Sequence, residues 1–121
     1  MLKRFVLATT AALLLTGTAQ ADPFVNMYGN TVSITTPDGK TSKAYVNKDM
    51  SWERDMADGS ILKGTFAWKD PSTACFTQVT PPPKAGTAPN CAKIDEHKVG
   101  DTWTVTDADK KVTSYTATAG R

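Results

Sequence analysis

Alternating side chains, in short runs that Gly, Pro and Asp interrupt, limit what this chain can fold into more than any other feature. In Thr31-Val32-Ser33-Ile34-Thr35-Thr36, polar and apolar residues alternate with period two, as on a half-buried strand. Pro37-Asp38-Gly39 breaks the run and Thr41 to Asn47 resumes it, which predicts a hairpin with a Gly-bearing turn. Trp52 to Met56 and Ile61 to Trp68 flank Ala57-Asp58-Gly59, a second hairpin. In the later of these runs Leu62, Gly64, Phe66 and Trp68 share one face, and Lys63, Thr65, Ala67 and Lys69 the other. Leu62, Phe66 and Trp68 are therefore expected in the core with Val32, Ile34, Trp103 and Val105. Trp52, beside Glu53 and Arg54, is expected to be partly exposed.

After the break at Asp70-Pro71-Ser72, shorter strands are expected at Cys75–Val79 and Cys91–Glu96. Between them Pro81-Pro82-Pro83, Gly86 and Pro89 form a loop that cannot join a sheet, because proline has no N–H for the ladder. Thr102 to Thr106 and Val112 to Ala119 make a last hairpin around Asp107-Ala108-Asp109-Lys110. Val112 and Tyr115 fall on opposite faces of the final run, so a bulge or an edge position is expected there. Beyond residue 21 apolar residues do not recur at helical spacing, and β-branched and aromatic residues dominate the periodic runs. The fold class is all-β: a small antiparallel meander barrel or sandwich of about seven or eight strands.

The first 21 residues read as a secretory signal peptide. Lys3 and Arg4 precede an apolar run from Phe5 to Leu15, and Ala19-Gln20-Ala21 is the small-x-small pattern that signal peptidase accepts. The apolar run is well short of the roughly 20 residues needed to span a bilayer. The expected domain plan is a signal peptide at 1–21 and a single β domain at 22–121, periplasmic or secreted, not inserted in a membrane after cleavage. Lys3 and Arg4 leave with the leader and no acid does, so the 14 Lys+Arg of the chain become 12, against 12 Asp+Glu. A net charge near zero gives no electrostatic footprint for nucleic acid. Cys75 and Cys91 are the only cysteines, so an oxidising compartment allows one pairing between them.

Several pieces of the sequence together resemble an uncharacterised family of small exported bacterial β proteins with one disulfide. They are Gly29-Asn30-Thr31-Val32, Thr36-Pro37-Asp38-Gly39, Gly64-Thr65-Phe66 and Cys75-Phe76-Thr77, followed by the proline loop to Cys91, Val99-Gly100-Asp101-Thr102-Trp103-Thr104-Val105 and Ala119-Gly120-Arg121. The resemblance implies export, a β fold and the paired cysteines, and it carries no known site. A weaker resemblance is to periplasmic metalloprotease inhibitors, exported β-barrels whose N-terminal segment enters the protease cleft. Asp22 to Tyr28 would take that part here. This chain has Tyr28 and Val32 where such inhibitors carry a tryptophan after the leader, and its cysteines lie mid-chain.

Residues with the chemistry for catalysis are few. His97, the one histidine, sits in Asp95-Glu96-His97-Lys98; an alternating strand sends its acidic neighbours to opposite faces, so a solvated strand end is expected rather than a metal or acid–base site. Asn47-Lys48-Asp49-Met50-Ser51 and Asp107-Ala108-Asp109 hint at calcium loops, but lack the Gly and Glu that such loops need at positions six and twelve. No catalytic, cofactor-binding or metal residue is expected, and the chain reads as a non-enzymatic binding protein whose partner is a protein or an envelope component. A periplasmic protease inhibitor and an envelope-associated structural protein are the alternatives. The sequence leaves open whether segment 22–28 or the proline loop at 80–90 is functional.

Overall fold

The computed structural model describes residues 22–121; the expected signal peptide lies outside the described residues. Eight strands follow in chain order: β1 Thr31–Thr35, β2 Thr41–Val46, β3 Ser51–Asp55, β4 Ile61–Asp70, β5 Thr73–Thr80, β6 Asn90–Lys93, β7 Thr102–Thr106 and β8 Val112–Thr118. All pairings are antiparallel and form one curled sheet, a half-barrel, in the order β6-β5-β4-β3-β2-β1-β8-β7. The first six strands are a meander. The chain then crosses from one edge of the sheet to the other, and β8 returns to pair with β1.

Register carries one face through every strand. Val32 lies opposite Ala44 and Ala117, Trp52 opposite Gly64, and Phe66 opposite Phe76. These residues line the concave face, where Phe66 is 3 % exposed and Ala74 and Ala117 are fully buried. The core was expected to include Leu62, Phe66, Trp68, Val32 and Ile34, and these sit on that face buried or half-buried. Val105 is the exception: it shares the face of Trp103 but is 52 % exposed, because β7 is an edge strand with no neighbour beyond it among the described residues. Trp52 is half-buried and packs against the core.

Two other expectations are corrected. The final strand is neither bulged nor at an edge. β8 lies between β1 and β7 with unbroken register on both sides, and Val112 points to the convex, solvated face. The irregularities fall instead in the β4–β5 pair, at Lys63/Gly64 and Trp68/Asp70. β6 ends at Lys93 rather than Glu96, because Ile94 turns in to pack on the core and its N–H donates to Ser72 O at 2.7 Å.

Four hairpins are closed by the same turn. In the first, the Thr36 N–H donates to Lys40 O and the Gly39 N–H to Thr36 O. The same two bonds recur at Asn47–Ser51, Met56–Ser60 and Asp107–Lys111. This three-residue loop needs its last residue in the left-handed region. Gly39 and Gly59 supply it freely, whereas Met50 (φ 70) and Lys110 (φ 63) adopt it at a steric cost. Carboxylates cap the turns: Asp38, Asp49 and Asp58 each accept the N–H two residues on, from Lys40, Ser51 and Ser60. The Thr36, Ser51 and Ser60 hydroxyls, with those N–H groups, hold the three carboxyls below the usual aspartate range.

Candidate functional site

The two ends of the concave face differ. One is plugged by residues 22–30, which fold as successive turns and drive Phe24 and Met27 into the core. The Phe24 ring centroid lies 5.3 Å from those of both Phe66 and Trp68, and Phe66 lies 5.8 Å from Phe76. Such tilted and edge-on pairs contribute beyond their buried area. Asp22 fastens the plug: one carboxylate oxygen accepts the Phe24 N–H at 2.9 Å and the other accepts the Tyr28 hydroxyl. Burial, then the Asp22 carboxylate, pushes the Tyr28 phenol well above its ordinary value. The chain terminus is tied to the same end, where the Arg121 guanidinium donates to Asn30 O at 3.1 Å and Val46 O at 2.6 Å.

The other end is open. The hairpin turns after β1, β3 and β7 converge there around a cleft of about 520 Å³. Arg54 reaches it because Trp52, Arg54 and Met56 alternate on the concave side of β3, opposite Gly64 and Leu62 of β4. Its Nε–H donates to the Ser42 hydroxyl at 2.8 Å, and Ser42 is itself 5 % exposed. No carboxylate lies within ion-pair distance of Arg54 among the described residues, and its terminal N–H groups have no protein acceptor there. Lys40 and Lys111 also line the cleft, as do Asp38, Asp58 and Asp107. Formal charge therefore balances, but hydrogen bonding does not. Each aspartate accepts N–H groups of its own turn, Asp107 from Asp109 and Lys111 at 2.8 and 2.9 Å. The donors left over include the terminal N–H groups of half-buried Arg54, whose planar guanidinium fork suits a carboxylate or other oxyanion.

The sequence-selected residues, Asp107 apart, lie elsewhere. Cys75 and Cys91 form the disulfide, opposite one another across β5 and β6 with Cα atoms 3.9 Å apart. Their parity opposes that of Ala74 and Phe76, so the bond lies on the convex face and tethers the exposed proline loop by both ends. His97 is not a solvated strand end. Its ring stacks on Trp103 with centroids 3.6 Å apart, and Trp103 stacks in turn on Tyr115 at 5.5 Å. Asp101 lies 3.8 Å from His97 Nδ1, while Asp95 and Glu96 are exposed. Asp49 and Asp107 serve as turn caps. Among the described residues no three His, Cys, Asp or Glu side chains converge as a metal ligand set. In segment 22–28, the arm that the weaker resemblance implies, Phe24 and Met27 are buried in the core while Val25 is exposed.

Arg54 was missed by sequence reasoning, although a signal existed: a cation between Trp52 and Met56 at core parity in an alternating strand. Comparison with protein-family profiles, curated proteins and solved structures finds no match. Fold and site together define an open antiparallel half-barrel, plugged at one end by residues 22–30 and lined at the other by a guanidinium with no carboxylate in ion-pair contact among the described residues.

Proposed function

We propose that this protein is an exported, periplasmic, non-enzymatic binding module that takes a small anionic ligand at the open mouth of the half-barrel. The observation that carries the reading is Arg54, half-buried at the cleft and bonded, among the described residues, to a buried serine hydroxyl alone. A carboxylate or oxyanion placed there receives two parallel N–H bonds in a site partly withdrawn from water, and Lys40 and Lys111 add favourable charge. The Cys75–Cys91 bond fits an oxidising compartment. The protease-inhibitor alternative draws no support from segment 22–28, whose Phe24 and Met27 are committed to the core.

The test is calorimetric titration of the purified protein with acetate, succinate, citrate, phosphate and sulfate, for wild type, Arg54→Gln and Ser42→Ala. At least one anion should bind, and Arg54→Gln should weaken it tenfold or more while the circular dichroism spectrum is unchanged. Absence of binding by every probe, or binding indifferent to Arg54→Gln, would overturn the reading.

A further inference from the structure

The two edges of the sheet are unequal. β6 is four residues long, follows Pro89, carries Lys93 and is stapled to β5 by the disulfide, all features that discourage another strand from pairing. β7 reads Thr-Trp-Thr-Val-Thr, with neither charge nor proline inside it. Its hydrogen-bond polarity follows from its ends: the Ala117 N–H donates to Asp101 O, and the Asp107 N–H donates to Lys111 O. Odd-numbered residues of β7 thus bond to β8, and the N–H and C=O groups of Thr102, Thr104 and Thr106 point away from the sheet.

We propose that the β7 edge is a self-association surface, where a second copy of this chain adds its own β7 antiparallel about a two-fold axis at Thr104. The occupant is argued from the strand itself, whose sequence is nearly the same read in either direction. Thr104 faces Thr104 of the partner subunit and Thr102 faces the partner's Thr106, so every outward-pointing backbone group of the strand meets its complement. On the concave side Val105 comes against the partner's Trp103, an aromatic–β-branched cross-strand pair of the kind that favours sheet formation. This contact covers Val105, the core-parity residue that one copy leaves 52 % exposed. An isologous contact of this kind closes on itself as a dimer. Asp101 and Asp107 oppose each other at the two ends of the pairing and limit it to the five residues of β7. A net charge near zero over residues 22–121 adds no general repulsion between copies.

The test is the molar mass in solution of the full chain, expressed with its N-terminal segment in a secreting host and purified oxidised, measured by light scattering and sedimentation between about 1 and 500 μM. A monomer–dimer equilibrium is expected, and added salt should tighten it by screening Asp101 from Asp107. Thr104→Pro removes an outward N–H that β8 does not use, so it should weaken the dimer at least tenfold with an unchanged melting temperature. Val105→Lys, at an exposed position, provides a second variant with the same expected outcome should Thr104→Pro disturb folding. A protein that stays monomeric throughout, or a dimer indifferent to Val105→Lys, overturns the proposal. So does an edge that takes up only an unrelated extended peptide.

Discussion

Replacing Gly64 by alanine adds one methyl group where the sheet has no room for it. A Cβ at this position falls within the van der Waals envelope of the Thr77 carbonyl oxygen and 2.7 Å from two carbons of the Trp52 ring. Neither neighbour yields easily. The Thr77 carbonyl is β5 backbone beside the irregularity at Lys63/Gly64, and the Trp52 ring is held by its Nε1–H bond to Thr65 O at 3.0 Å. Overpacking at a well-filled site costs about 1–3 kcal/mol. A ladder bond lost as β5 retreats adds about 1 kcal/mol. The sum, roughly 2–4 kcal/mol, lowers the melting midpoint of a domain this size by about 10–30 °C. Urea unfolding followed by tryptophan fluorescence should show a lower midpoint with the slope unchanged. Trp52→Leu relieves the ring contact but not the carbonyl, so Gly64→Ala should keep more than half its cost in that background. A loss below about 0.5 kcal/mol would refute the reasoning, because it would mean that β5 does not pack against Gly64 as described.

Three further outcomes are expected. Cys75→Ser should destabilise by about 3 kcal/mol, the loop-closure value for some 15 residues, and should expose the proline loop to limited proteolysis; equal resistance with and without the bond would count against the tether. Lys110→Gly should stabilise by about 0.5–1 kcal/mol, since relief of left-handed strain exceeds the added freedom of the unfolded chain, whereas Met50→Gly should destabilise because Met50 also packs on the core. In acid the turns should weaken first. Asp38, Asp49, Asp58 and Asp70 have lowered folded values, so their contribution is present above about pH 3.9, the unfolded value, and is lost as pH falls through the folded ones. Glu53, raised mainly by its hydrogen bond with Asp55, acts in the opposite sense: its contribution is present below the unfolded glutamate value and is lost as pH rises through the folded one. Four lowered groups against one raised predict net acid destabilisation, and urea midpoints that rise steadily below pH 4 would contradict it.

The sequence by itself settled the local structure. Period-two alternation together with turn and break residues located all eight strands, and alternation told most inward side chains from outward ones, because the pleat ties face to parity whatever lies beside the strand. Pro-Asp-Gly and Ala-Asp-Gly marked two of the turns, since a left-handed residue is needed there. Two cysteines allowed a single bridge. Partnership between strands was decided only by the tertiary structure. Nothing local to Val112–Thr118 records that it lies between β1 and β7, so the final strand read as bulged or at an edge, and Val105 read as core. Parity assigned Val105 a face but could not say whether another strand would cover it. The N-terminal segment resembled a free arm, yet Phe24 and Met27 had a cavity to fill, and burying them there is favourable only once β4 and β5 have brought Phe66, Trp68 and Phe76 together. Arg54 stood in plain view between Trp52 and Met56. What makes it a candidate site is the cleft formed by three turns distant in sequence, together with the lack, among the described residues, of a carboxylate within ion-pair distance, and those follow from how the sheet curls.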